Sequence, residues 1–470
     1  MLLRQVADRN PTVALRLSQA VDPPYRAYRD GDGTLMETFS TGGTATAGRW
    51  SPPGSASVRS PLWRGDIVAA LASILDYSGT DGVPHHARVA AIAARTASHL
   101  RTVDRLDVFY AGLLHDIGLM GNARDPDRWA NPDQQANQPI LRSHPLIGAQ
   151  LVAQVPELVT VAEIVMDHHE CVNGHGYPRG KTGDEISNGA QVLHFANVCD
   201  VVLREQGSPE LIPLLDAVRR RTTPQVSTAV ADAGIEALGE PGLYAQLLTP
   251  DDVRFLVSSI VHRLAADDLV TTEGQVTSLL ELFAHVTDAH PADKIGHSRR
   301  VATLAVLVAM AMRLGKEVAT TVKWAGLVHD VGMVTIPKEV LDKPGPLTPA
   351  ELKQVHGHAL ATEQFIGTIR GLEEIAKVAA AHGEAFDGSG YPHGRSGNEI
   401  PIGARILAVC DTFDALTSRR PYRDARETSL AIDILVKGSG SLFDPDVVQA
   451  AVPAFLVARA AEEPLAVTRN

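Results

Sequence analysis

The feature that most limits how these 470 residues can fold is an internal repeat with an offset near 214. His115 and Asp116 recur as His329 and Asp330, His144 as His358, His168 as His382, and "GYP" at 176–178 as "GYP" at 390–392, each 214 residues on. His85 recurs as His297 at an offset of 212, and the shared "VCD" pairs Asp200 with Asp411 at 211. A nearly constant offset kept across polar residues that a core does not require marks a duplicated domain. Copy A spans 63–235 and copy B spans 271–460, with a helical linker at 236–270 and an irregular arm at 1–62. Apolar residues recur at helical spacing in segments such as "RGDIVAALASIL" and "ARVAAIAARTASHL", so both copies are expected to be all-helical. A linker that is helical and apolar, without the Gly/Ser richness of a tether, predicts a pseudo-twofold pairing of the copies.

Composition excludes several classes. With 43 Lys and Arg against 55 Asp and Glu, the net charge of -12 leaves no dominant basic face for coating nucleic acid. Three scattered cysteines make neither a disulfide framework nor a thiolate zinc knuckle. The longest apolar stretch, "VATLAVLVAMAM" at 301–312, falls short of the ~18 residues a span needs, and "MLLRQVADRN" lacks the apolar core of a signal peptide. The expectation is a cytoplasmic protein without membrane contact, binding a small anionic ligand locally; a protein partner or a homo-oligomer stays open.

Imidazole and carboxylate together are the donors favoured by Fe, Mn, Zn or Ni, and a carboxylate can bridge two ions through its two oxygens. Seven such donors in copy A are too many for one tetrahedral ion. They suit two metals about 3.5–4 Å apart, which clamp a phosphoryl oxygen and activate water for in-line attack. The adjacent His168 and His169 point ~100° apart on a helix, so they fan across two ions. A lone histidine such as His194 reads instead as a cap or surface residue, and Arg88 and Arg300, three residues after the first ligand, read as partners of acidic groups.

The order "HHARV", "HDIG", "SHPLIG", "HHE", "NGHGYP" and "NVCD" in copy A resembles the HD-GYP family, within the HD superfamily of metal-dependent phosphohydrolases. Copy B matches it with "HSRRV", "HDVG", "GHAL", "HGE", "DGSGYP" and "AVCDTFDALTSRRPYR". The resemblance implies an all-helical fold and a phosphodiesterase that opens cyclic dinucleotides such as cyclic di-GMP. It implies metal ligands at His85, His115, Asp116, His144, His168, His169 and Asp200 in copy A. In copy B they would be His297, His329, Asp330, His358, His382 and Asp411, with Asp293 a candidate for a third metal and Asp81 a weaker one. Asp116 and Asp330 would be the bridging, catalytic carboxylates, and Tyr391, Arg420 and Arg423 would orient substrate. The cofactor would be two divalent transition metals per intact site, Fe or Mn foremost, Zn or Ni otherwise.

Departures are informative. Copy B reads "HGE" where the family has "HHE", so Gly383 removes one imidazole, and Gly383→His is expected to restore metal content. Leu119 and Met333 replace the lysine that follows "HDIG" in the family, and copy A lacks the arginine pair. Counting ligands places water activation in copy A, so Asp116→Ala is expected to remove more hydrolysis than Asp330→Ala. The leading reading is hydrolysis of a nucleotide phosphodiester, cyclic di-GMP first. Its rivals are a degenerate nucleotide-sensing or interaction module and a nucleoside monophosphate phosphohydrolase.

Overall fold

The computed structural model describes residues 62–77, 84–120, 139–207, 210–289, 294–343, 345–418 and 425–462, together with a two-residue pairing of Tyr28–Arg29 with Leu35–Met36. Copy A comprises α1 (Arg64–Tyr77), α2 (His85–Ala97), α3 (Arg105–Leu114), α4 (Pro139–Val152), α5 (Val159–Asp167), α6 (Asn188–Gln206) and α7 (Leu211–Thr222), followed by α8 (Thr228–Gly239), α9 (Leu243–Gln246) and α10 (Pro250–Leu264). Copy B comprises α11 (Glu273–Asp288), α12 (His297–Ala311), α13 (Lys316–Val328), α14 (Lys338–Leu341), α15 (Pro349–His356), α16 (His358–Gly367), α17 (Glu373–Ala380), α18 (Ile402–Thr417), α19 (Thr428–Lys437) and α20 (Pro445–Glu462). The all-helical expectation holds, and no described helix is long and apolar enough to cross a membrane.

Small residues set the central crossings. α2, "HHARVAAIAARTA", is buried almost all round and packs against α3, α6, α8 and α10. A Cβ on Gly112 of α3 would lie 2.5 Å from Ala90 Cα of α2, and one on Gly326 of α13 would lie 2.8 Å from Ala302 Cα of α12. Only glycine permits these two backbones to approach so closely. The consequence is positional: the end of α3 lies over the start of α2, and His115 over His85. Asp104 holds the start of α3 by accepting from the amides of Leu106 and Asp107 at 2.8 and 3.0 Å, which satisfies helix donors that have no partner within the helix.

The segment read as a linker is structural. α8 runs across residue 235, and α10 buries Val253, Val257 and Val261 against α1 and α2. These helices complete copy A's helical layer, and Leu269–Val270 closes it by pairing antiparallel with Leu62–Trp63.

The two copies pack reciprocally through equivalent helices. α1 and α11 pack on each other, and α1 also reaches α16 and the 3-10 turn Val331–Thr335 of copy B. In the opposite direction, Gln275 of α11 donates to Glu157 at 2.6 Å, and His285 of α11 lies 3.3 Å from Gln154. This exchange is the pseudo-twofold pairing that the sequence suggests. Arg370 of copy B ties the edge, with its guanidinium 3.9 Å from the Trp63 ring centroid and its Nε 2.6 Å from Asp66. Arg370→Ala is expected to cost about 0.5–1 kcal/mol, since the contact is half exposed, read as a lower urea midpoint with unchanged helicity.

Candidate metal centre

Each copy brings its histidines together by ending helices at one point. His115 caps α3 and His329 caps α13, each donating Nδ1–H to the carbonyl three residues back, Gly112 and Gly326, at 2.9 Å. His168 and His382 do the same with Val165 and Ala379 at 2.6 and 2.7 Å, His358 with Val355 at 2.6 Å, and His144 with Leu141. Carbonyls in the last turn of a helix lack an intrahelical donor, and that of Leu141, in the first turn of α4, lacks one because Pro145 stands four residues on, so these bonds cost nothing in helix geometry. They fix the tautomer: Nδ1 carries the proton, and the Nε2 lone pair faces inward.

Two groups of inward donors share one carboxylate in copy A. His85, His115 and Asp116 form one, and Asp116, His144, His168 and His169 the other. His144 Nε2 lies 3.1 Å from Asp116 Oδ1, whereas His115 Nε2 lies 3.4 Å from Oδ2. In copy B, Asp330 directs Oδ2 toward His329 at 3.7 Å and Oδ1 toward His358 at 3.4 Å. Nε2 atoms with lone pairs also face one another, at 3.2 Å for His144 and His168 and at 3.3 Å for His358 and His382. Such pairs repel unless a cation lies between them. Asp116 Oδ1, His297 Nε2 and His329 Nε2 are buried without a hydrogen-bond partner, a cost that bound metal would relieve. The donor set therefore fits divalent transition metals.

The charge states agree with ligation. Burial opposes ionisation of Asp116, but the imidazoles of His115, His144, His168 and His85 outweigh it and hold the carboxyl well below the usual range. Burial pushes His115 and His169 well below the ordinary imidazole value, and His329 and His358 down to about 4. His85 and His297 are the exceptions: burial opposes their charge, but the carboxylates around them, Asp200 and Asp116 in copy A and Asp411 and Asp414 in copy B, outweigh it and raise both to about 9, so ligation there would release a proton.

A family model described as an HD domain matches residues 70–211 and 281–447, one stretch in each copy. The chain belongs to the HD-domain family. It is 28% identical over 309 residues to a 3'3'-cGAMP-specific phosphodiesterase 3 of Vibrio cholerae, covering 66% of each chain. To phosphodiesterase 1 of the same specificity and organism it is 28% identical over 383 residues, covering 78% of this chain and 85% of that protein. A cyclic di-GMP phosphodiesterase response regulator of Xanthomonas campestris is 40% identical over 202 residues, and there the chain spans about half of its relative, 53%. A crystal structure of a cyclic GMP-AMP specific phosphodiesterase from V. cholerae shares the fold, with a TM-score of 0.58 and 22% identity over 85% of this chain and 99% of that one.

Within this HD-domain protein, the "VCD" pairing of Asp200 with Asp411 does not survive. Asp200 lies behind His85, taking its Nδ1–H at 2.6 Å while Arg88 donates to its other oxygen and Arg204 Nε reaches it at 2.8 Å. Its counterpart is Asp414, which takes Nδ1–H of His297 at 2.7 Å and an Nε–H of Arg300 at 2.6 Å. The offset from 200 to 414 is again 214. Asp411 stands three residues earlier, 3.2 Å from His297 Nε2, in one group with His329 and His382, and the matching residue of copy A is Asn197. Copy A is therefore not the complete copy. In copy A a three-donor and a four-donor group share Asp116, whereas copy B has three overlapping groups, His297 with His329 and Asp330, His329 with His382 and Asp411, and Asp330 with His358 and His382.

The "GYP" turn explains the other loss. Tyr177 stacks on His169 with ring centroids 4.7 Å apart, beneath the guanidinium of Arg142 at 5.6 Å. In copy B Tyr391 has moved over Gly383, where a Cβ would meet its ring at 2.5 Å, and stacks on His356 at 3.9 Å and 7°. The expected gain from Gly383→His is therefore withdrawn: tyrosine fills the space an imidazole would need.

His194, read from sequence as a cap or surface residue, is buried, donating Nδ1–H to the His168 carbonyl at 2.9 Å and lying 3.0 Å from Gln225. Arg88 and Arg300 partner carboxylates, as read. Sequence reasoning missed Asp414, for which the constant offset of 214 was the available signal, and Lys294, for which there was none. Asp81, Asp293, Arg420 and Arg423 lie outside the described residues.

Two substitutions separate the carboxylate roles. Asn197→Asp is expected to raise the metal retained per chain after dialysis, measured by elemental analysis. Asp200→Asn, which strands Arg88 in a buried site, is expected to lower stability by about 3 kcal/mol. A melting temperature unchanged by Asp200→Asn would speak against this placement.

Proposed function

We propose that the chain is a metal-dependent phosphodiesterase acting on a cyclic dinucleotide, cyclic di-GMP or 3'3'-cGAMP, with hydrolysis in copy B. The observation that carries this reading is the pair of buried donor groups meeting on one carboxylate, supported by the activities named for the relatives. Two divalent metals, Fe or Mn foremost, supply Lewis acidity toward a phosphoryl oxygen and a water of lowered pKa when bound. Asp330 offers Oδ2 toward His297 and His329 and Oδ1 toward His358 and His382, and Asp411 adds a second carboxylate beside His297, His329 and His382.

Copy B is favoured by charge and access. It offers two carboxylates, Asp330 and Asp411, where copy A offers Asp116 and the neutral Asn197, and the Asp411 side chain is 32% exposed. Substrate can reach the centre there. Tyr391, held flat on His356, keeps its phenolic proton because burial foremost pushes its pKa up, so it can donate to a phosphate oxygen. Arg420 and Arg423 would grip phosphate bidentately from beyond the described residues. Copy A serves as a metal-bound scaffold that holds α1 against copy B.

The test is hydrolysis of each cyclic dinucleotide by anaerobically purified protein, before and after chelation. Activity is expected to vanish with the metal and return with Fe or Mn. Asp330→Ala should lower kcat at least about 10²-fold, whereas Asp116→Ala should leave most activity, the reverse of what ligand counting suggests. Loss of activity in Asp116→Ala alone would place catalysis in copy A.

A further inference from the structure

Among the described residues, a lysine stands against the shared carboxylate of copy B and none against that of copy A. Lys294, in the turn before α12, places Nζ 2.6 Å from Asp330 Oδ2, with its side chain only 16% exposed. Oδ2 is the oxygen that faces His297 and His329, at 3.9 and 3.7 Å, whereas Oδ1 faces His358 and His382 at 3.4 and 3.8 Å. The ammonium therefore touches the oxygen that faces His297 and His329. At the offset of 212 that relates His85 to His297, Gly82 stands where copy B has Lys294, so copy A brings no amine from that position.

An ammonium at this oxygen has two contrary uses. It can brace the carboxylate for ligation, or it can occupy the place of the metal's charge. A divalent ion bound to Oδ2 at about 2.1 Å would sit within about 5 Å of Nζ, and like charges that close in a buried site repel strongly. In copy A, Asp116 faces its two histidine groups with no lysine against it among the described residues, so the shared carboxylate does not need an ammonium to be oriented.

Resting on the metal reading above, we propose that Lys294 is a built-in competitor for metal in copy B. Its ammonium and a divalent ion contend for Asp330 Oδ2, so the group formed by His297, His329 and Asp330 fills only as the lysine swings away. Copy A fills first, and hydrolysis in copy B responds to metal supply over a higher range.

The test is a titration of the metal-free full chain with Mn²⁺, with copy A silenced by Asp116→Asn, read as bound metal by equilibrium dialysis. Lys294→Met is expected to tighten binding by at least about fivefold, as removal of a competing ligand should, and Lys294→Arg to leave it within about twofold. If the Asp116→Asn chain does not fold, the same comparison is read from the weaker of two binding phases in chains with copy A intact. Equal or weaker binding by Lys294→Met overturns the proposal and makes the lysine a brace. If the parent binds no Mn²⁺ in copy B and Lys294→Met binds none either, the metal reading of copy B fails, and the lysine proposal with it.

Discussion

A neutral imidazole can bind metal through only one nitrogen, and the other must hold its proton against something fixed. In this protein the fixed partner is the carbonyl three residues back at a helix end, for His115, His144, His168, His329, His358 and His382 alike. That bond dictates the architecture. A donor oriented in this way needs a carbonyl without an intrahelical partner, at a helix end or, for His144, where Pro145 frees that of Leu141 inside α4, so several helices have to converge on one point. The glycines at 112 and 326 then allow the convergence to be close enough. This is why the chain twice ends a helix with His and Asp and turns at once: the imidazole closes the helix while the aspartate, no longer helical, turns toward the two histidine groups that share it.

The same constraint made much of the site legible in sequence. Ligands at helix ends are separated by whole helices, whose lengths the core fixes, so their spacings repeat between copies and register as an offset of 214. The acid of the last motif was misread for a definite reason. "VCD" occurs in both copies but three residues out of phase, and residues three apart lie on the same face of α6 or α18. Either aspartate satisfies the helical pattern. Only the partner decides, because Asp200 and Asp414 receive the proton of the first histidine whereas Asp411 meets its lone pair. Nor could pattern show where the linker helices pack, since an amphipathic α10 is compatible with either copy.

Loss of a ligand is not a local event. Where copy A has His169, Tyr177 stacks on it; where copy B has Gly383, Tyr391 has closed the gap and found His356 instead. A close-packed interior does not keep a hole the shape of a missing imidazole. The substitution is thus fixed by its neighbour, and the group of Asp330, His358 and His382 is a settled geometry of three protein donors. A half-site of three protein donors is also the arrangement that leaves coordination open to water or substrate.

Charge links the remaining differences. Among these inward donors, copy A has one carboxylate, Asp116, with Asn197 neutral. Copy B has two, Asp330 and the partly exposed Asp411, and two carboxylates at one centre repel unless a counter-charge stands beside them. Lys294 provides it, 2.6 Å from Asp330, and offsets the added carboxylate. The acid that suits copy B for holding metal and the lysine that competes with metal are therefore one adaptation: the first raises the affinity of the filled state, and the second makes the empty state tolerable.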